Sequence, residues 1–164
     1  MKYAMQYQSP LGWLTLASDG EAMTGLWMEG QKYFKRTLDE SVVEKDLPVF
    51  EEVTHWLDRY FQGKNPDITF RLCPKGTEFQ KSVWKVLYDI PYGSTVTYGE
   101  IASIIARQNG KTSMSAQAVG SAVGHNPISI LIPCHRVVGA NGSLTGYAGG
   151  IEKKRWLLTL EGVL

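Results

Sequence analysis

Residues 97–124 read TYGEIASIIARQNGKTSMSAQAVGSAVG, and two short helices joined by a turn can be read from them. Thr97 with Glu100 three residues on makes a capping box, Ile101, Ile104 and Ile105 then point inward, and Gly110 stands beyond the helix end. A second helix can begin at Ser115 and run from Ala116 to Gly124. The pair predicts a helix-turn-helix. Upstream, Thr77 and Gln80 make another capping box ahead of an apolar stripe of Phe79, Val83, Val86 and Leu87 that ends before Pro91-Tyr92-Gly93. Downstream, residues 151–161 carry Trp156, Leu157 and Leu160 on one side, with Gly162 as the stop.

The N-terminal half has a different character. Tyr3, Met5 and Tyr7 alternate with polar or small neighbours, Ser9-Pro10-Leu11-Gly12 turns the chain, and Trp13–Ala17 follows as a strand before the turn at Ser18-Asp19-Gly20. Behind Pro48, the helical spacing of Val49, Val53, Trp56, Leu57 and Tyr60 predicts an amphipathic helix stopped by Gly63. Ile68, Phe70 and Leu72 alternate as a further strand. The expectation is an α+β fold with two domains, residues 1–75 and 76–164. The chain of 164 residues is 43% hydrophobic, enough for ordinary globular cores, and its net charge of +1 offers no overall field for a polyanion. Any nucleic-acid surface is therefore local. The N-terminus lacks a secretory apolar segment, and no apolar run nears the roughly 18 to 20 residues that span a bilayer. A cytoplasmic protein without membrane contact is expected, with Cys73 and Cys134 as free thiols and His55 as an exposed helix residue. Two cysteines and three scattered histidines match no metal-ligand spacing, so no metal or other cofactor is expected.

Chemistry concentrates in residues 126–139, NPISILIPCHRVVG. An apolar run delivers Cys134, His135 and Arg136 directly after Pro133, which restricts the backbone of Ile132. The adjoining basic side chains can stabilise a thiolate, the form of cysteine that attacks electrophiles. Spacing alone leaves this reading level with a bland one, in which Cys134 is a buried small hydrophobe.

Pro133-Cys134-His135-Arg136-Val137 resembles the signature of the O6-alkylguanine-DNA alkyltransferases, also called methylated-DNA-protein-cysteine methyltransferases. The likeness extends over about residues 76–162. It includes Gly76-Thr77-Glu78-Phe79-Gln80, Val83-Trp84, Ile90-Pro91-Tyr92-Gly93, Thr97–Ala102, Ala118-Val119-Gly120, Asn126-Pro127, Gly146–Gly150, Lys154–Leu158 and Glu161-Gly162. The resemblance implies a small RNase H-like sheet-plus-helix domain followed by a mostly helical DNA-binding domain that carries the cysteine loop. It implies single-turnover transfer of an alkyl group from guanine O6, and in some cases thymine O4, to Cys134. No second group is suited to cleave the resulting thioether, so the reaction consumes the protein.

The resemblance also assigns roles. His135 and Glu161 match the histidine and glutamate that act through a water to withdraw the thiol proton. Without it, Glu161 reads as a solvated acid ending a helix. Tyr98 matches the tyrosine that donates to guanine N3, and Asn126 the asparagine that ties the helix-turn-helix to the cysteine loop. Backbone groups of Cys134, Val137 and Ala148 line the guanine pocket, with Tyr147 and Gly149 in the loop that lets a flat base approach. The base must leave the duplex to reach a buried sulfur. Ala116 and Gly120 lie on the helix implied to enter the minor groove. Gln117 stands where many members carry an arginine that fills the space of the flipped base. Lys111, Thr112, Ser113 and Ser115 are the candidate phosphate contacts, and Arg136 is a further candidate for DNA binding. The implied partner is double-stranded DNA containing O6-alkylguanine, met by a monomer.

Two rival functions remain open on the residues. Cys134 and His135 could serve acyl transfer in a thiol hydrolase, although a base adjacent in sequence disfavours that. The helix-turn-helix could also bind damaged DNA without any transfer, an idea that the presence of Cys134 argues against.

Overall fold

The computed structural model describes residues 2–31 and 42–164. They form two compact units, residues 1–75 with 127–129, and residues 76–126 with 130–164.

In the first unit β1 (Tyr3–Ser9) and β2 (Gly12–Ser18) form a hairpin whose register runs from Tyr3 opposite Ser18 to Ser9 opposite Gly12. The turn needs a residue with positive φ, and Gly12 supplies it at 98°. β3 (Met23–Met28) pairs antiparallel with β2, and β4 (Val43–Glu44) pairs parallel with β1, giving the order β3-β2-β1-β4. β3 is buried at every position. It therefore lacks the in-out alternation by which a sequence announces a strand. α1 (Pro48–Phe61) starts with its proline in the first turn and buries Val49, Phe50, Val53, Trp56, Leu57 and Tyr60. Trp56 stacks on Tyr60 at 5.0 Å between ring centres.

The strand expected at residues 68–72 does not form. Ile68, Phe70 and Leu72 do alternate in burial with exposed neighbours, but among the described residues their one ladder contact is a single parallel bridge from Leu72 to Met23. The reason is that the outer edge of β3 is shared. Met23 exchanges hydrogen bonds with Arg71 and Cys73, while Leu26 donates to Pro127 O at 2.9 Å and accepts from Ser129 N at 2.9 Å.

The second unit begins with α2 (Glu78–Tyr88), whose capping box is complete: Gln80 N donates to Thr77 Oγ1 and Thr77 N donates to Gln80 Oε1, both at 3.0 Å. Replacing Thr77 by alanine is expected to cost about 1 kcal/mol, read as a lowered urea midpoint with unchanged slope. Trp84 on the buried face of α2 donates from its ring nitrogen to Ala122 O at 2.8 Å. β5 (Val96–Thr97) leads directly into α3 (Tyr98–Gln108), and α4 (Ala116–Gly124) follows after the expected turn with Ser115 as N-cap. At α3 only half of the second capping box exists, Glu100 N donating to Thr97 Oγ1. After the cysteine loop, β6 (Val137–Val138) pairs parallel with β5, Val96 opposite Val137 and Thr97 opposite Val138. That register sets the start of α3 beside the strand that leaves the cysteine.

α5 (Ile151–Leu160) closes the unit, but with a different buried face from the one expected. Leu157 is inside as expected, whereas Trp156 and Leu160 are only half-buried, and Lys154, Leu158 and Glu161 take the interior. Two charged side chains hold the helix in that rotation because each finds polar partners inside. No helix among the described residues is long and apolar enough to cross a membrane.

Candidate active site

The loop between α4 and β6 is organised by its own peptide groups. Asn126, buried just past the end of α4, donates from Nδ2 to Ile132 O at 2.8 Å, and Cys134 N donates to the same oxygen at 2.8 Å. The second bond spans only Pro133, whose φ of −79° and ψ of 68° make an inverse γ-turn. Proline suits that turn because its ring already holds φ near the required value. Ile130 sits in the left-handed region at φ 70° and is buried, so a branched side chain holds about 1–3 kcal/mol of strain four residues before the sulfur. Cys134, His135 and Arg136 then form one 3-10 turn leading into β6.

Cys134 is 4% exposed. Burial pushes its thiol above the usual range, against the opposing pull of the Asn126 amide, the Lys154 ammonium, the backbone and the Tyr147 hydroxyl. The resting group is therefore a thiol, whose ionised form is opposed by burial and only partly assisted by these neighbours. His135 is fully buried, and its Nε2 lies 2.7 Å from Glu161 Oε2. Desolvation outweighs Glu161 and holds the imidazole below its ordinary pKa, with Arg136 and Lys154 pushing the same way. A neutral ring that donates Nε2–H to a carboxylate has its lone pair on Nδ1. Nδ1 is buried and has no hydrogen-bond partner among the described residues. The histidine is thus set as a proton acceptor on that nitrogen.

Glu161 caps α5 and is 5% exposed, so the solvated-acid reading is replaced by a buried one. Arg136 explains its burial. Its Nε donates to Glu161 Oε1 at 2.8 Å, Nη2 donates to Oε2 at 3.0 Å, and Nη1 donates to Ile90 O at 2.7 Å. The backbone N–H of Gly93 reaches Oε1 at 3.4 Å. This two-pronged pairing fixes the carboxylate plane that His135 uses. It also corrects two expectations. Arg136 is not placed to bind DNA, because its donors are directed into the interior, and it is not the cation that favours the thiolate. Lys154 has that place.

Tyr98, the first residue of α3, donates to Thr145 O at 3.1 Å. Val137 is buried with its carbonyl taken by Lys154, while Tyr147, Ala148 and Gly149 are half-buried in the following loop. Gly120 of α4 faces Tyr98, since a Cβ there would stand 3.8 Å from the ring. Lys111, Thr112, Ser113, Ser115, Ala116 and Gln117 are all exposed, in the turn and first residues of α4. The structure so brings Cys134, His135, Glu161, Asn126, Tyr147 and Tyr98 into one neighbourhood. Lys154 is the member that sequence reasoning missed, for it stands between Lys153 and Arg155 in a basic run that reads as solvated surface. Its signal was the shared helical spacing with Leu157, Leu158 and Glu161. A separate cleft of about 410 Å³ in the first unit, lined by Glu52, His55, Trp56, Arg59 and Phe70 among others, holds none of the predicted site residues.

Two family descriptions match the chain: 6-O-methylguanine DNA methyltransferase, ribonuclease-like domain, over residues 1–74, and 6-O-methylguanine DNA methyltransferase, DNA binding domain, over residues 78–163. The methylated-DNA–protein-cysteine methyltransferase of Methanosarcina acetivorans is 48% identical over 163 residues, 99% of either chain. That of Mycobacterium bovis is 46% identical, covering 93% of this chain and 88% of the relative. Among solved structures, Mycobacterium tuberculosis OGT in complex with DNA superposes with a TM-score of 0.83 at 45% identity, covering 97% of this chain and 92% of that one.

Proposed function

Since the chain belongs to the 6-O-methylguanine DNA methyltransferase family, we propose that Cys134 is the atom-accepting residue of its DNA repair reaction. The protein reverses alkylation damage in double-stranded DNA by taking the alkyl group from guanine O6 onto a cysteine. We assign residues 1–75 to the ribonuclease-like part and 76–164 to the transferring part, and we infer a cytoplasmic protein, where its DNA substrate lies. One observation carries the residue assignment: a nearly unexposed thiol precedes a neutral, fully buried histidine that is locked to a carboxylate.

The steps follow from that arrangement. The Cys134 proton passes through a water to His135 Nδ1, and the imidazolium so formed is stabilised by Glu161, whose plane Arg136 fixes. The sulfur then attacks the alkyl carbon in line, forming a C–S bond while the carbon–O6 bond breaks. The electron pair leaves on the purine. Tyr98 exchanges its bond to Thr145 O for one to guanine N3 and so stabilises the departing anion. Asn126 keeps the loop in its turn. The backbone of Cys134, Val137 and Ala148, with Tyr147 and Gly149, forms the base pocket. Ala116 and Gly120 let α4 approach the minor groove closely, and Gln117 fills the gap of the flipped nucleotide without adding charge. Lys111, Thr112, Ser113 and Ser115 hold phosphates, so binding weakens as salt rises.

Incubation with a duplex containing O6-methylguanine is expected to raise the protein's mass by one methyl group, located on Cys134, with one lesion repaired per molecule. Repeated repair with regenerated thiol would reveal the hydrolase. A tight complex of unmodified protein would reveal the binder.

A further inference from the structure

α4 is nine residues long with Gly120 and Gly124 among them, too short and too poor in helix formers to persist by itself. Its buried face offers only the compact side chains of Val119, Ala122 and Val123, which by themselves set no sharp rotation. A directional contact is made in its last turn. Asn126 N, the donor that would continue the helix onto Ala122 O, donates instead to Val123 O at 3.2 Å. The Ala122 carbonyl is taken by the ring nitrogen of Trp84, which donates to it at 2.8 Å across 38 residues of sequence. A helix end leaves such carbonyls without an internal partner, and a buried one needs a donor from elsewhere.

The indole is itself held in place. Trp84 is buried on α2 with Val83 and Leu87, and Gly76 covers the ring so closely that a Cβ there would stand 2.5 Å and 2.8 Å from two of its carbons. Ala116 and Gln117, at the other end of α4, are exposed and stand more than a right angle round the helix from Ala122. A bond at Ala122 therefore fixes the rotation of α4 and its position along its own axis, and with them the place of Gln117. The cysteine loop has separate bonds, since Asn126 Nδ2 and Cys134 N each donate to Ile132 O at 2.8 Å.

We propose that Trp84 is a positioning residue for extrusion of the damaged base: its indole N–H holds the end of α4 so that Gln117 meets the duplex in a single placement. This deepens the reading of α4 as the helix that enters the minor groove, and rests on it. The role differs from packing, which another aromatic ring in the same space would largely provide.

Trp84→Phe keeps an aromatic ring and removes the donor. It is compared with wild type, after calorimetry has shown that it folds, on two substrates: O6-methylguanine duplex below saturation, and free O6-benzylguanine, which reaches the sulfur without a duplex. Both reactions are read as alkylation of the Cys134 peptide. The second-order rate constant is expected to fall about tenfold on the duplex and to stay within about twofold on the free base. An unchanged duplex rate overturns the proposal, and so do equal losses on the two substrates, which are the mark of general loosening. If Trp84→Phe does not fold, wild type decides by nuclear magnetic resonance. Coupling between the bond and DNA is reciprocal, so solvent exchange of the Trp84 indole proton should slow about tenfold when undamaged duplex saturates the protein. Exchange that DNA leaves unchanged overturns the proposal. Wild type that alkylates Cys134 from neither substrate instead sinks the transfer reaction itself, while the exchange measurement still judges Trp84.

Discussion

Cys134→Ser is expected to abolish methyl transfer, by at least about 10⁴-fold in single-turnover rate, while duplex affinity stays within about twofold of wild type. A hydroxyl at the same place keeps nearly the same volume, and it meets the same Asn126 and Tyr147 groups that oppose the effect of burial on the thiol. It cannot supply the nucleophile. The buried imidazole of His135 is a weak base, held below its ordinary pKa by desolvation, and it cannot draw a proton from an alcohol. Affinity is preserved because the exposed candidates for DNA contact, Lys111 to Ser113 and Ser115 to Gln117, are untouched. The rate is measured by quenched transfer of labelled methyl, and affinity by fluorescence anisotropy on undamaged duplex. Residual transfer to the serine variant at more than about a hundredth of the wild-type rate would move the acceptor elsewhere.

Glu161→Ala should be the most destabilising single change in the site. It leaves the Arg136 guanidinium buried without its carboxylate and removes the partner of His135 Nε2. Breaking a buried pair from one side costs about 3–5 kcal/mol, which for a chain of this length corresponds to a Tm lower by roughly 10 °C. Glu161→Gln keeps the shape and part of the hydrogen bonding, so it should fold better while still transferring roughly 100-fold more slowly. Calorimetry on both variants, with transfer measured on the glutamine one, separates the two roles. A related pH effect has a definite sign. His135 refuses a proton in the folded state that the unfolded chain accepts below its ordinary pKa of about 6.5. The unfolded state then binds more protons, so this group's contribution to stability is complete above about pH 6.5 and declines as pH falls below it.

The helix-turn-helix was legible because its signals are local. Thr97 and Ser115 cap their helices through side chains, and Gly110 and the small residues of α4 punctuate them. The cysteine loop was legible from a short run of residues and its likeness to a family. What the sequence hid was partnership between residues far apart in the chain. Arg136 reads as a basic side chain fit for DNA until Glu161, 25 residues away, takes it inward. Lys154 reads as one of three surface cations until the carbonyls of Val137, Thr145 and Gly146 are seen around it. β3 escaped notice because burial on both faces leaves no alternation to find, and residues 68–72 misled because alternation can arise without a ladder.

The near-total enclosure of the reactive sulfur bears on how long a molecule keeps its capacity before it meets a lesion. Peroxides and disulfides attack the ionised, accessible form of cysteine. A protein that works once would be lost to any oxidant that reached that sulfur first. Held as a thiol and shielded from solvent, Cys134 is protected against such chance encounters, while Cys73 on the surface of the same chain is open to them. Entry of the damaged base, rather than exposure to the surrounding medium, is then what brings the stored reactivity into play.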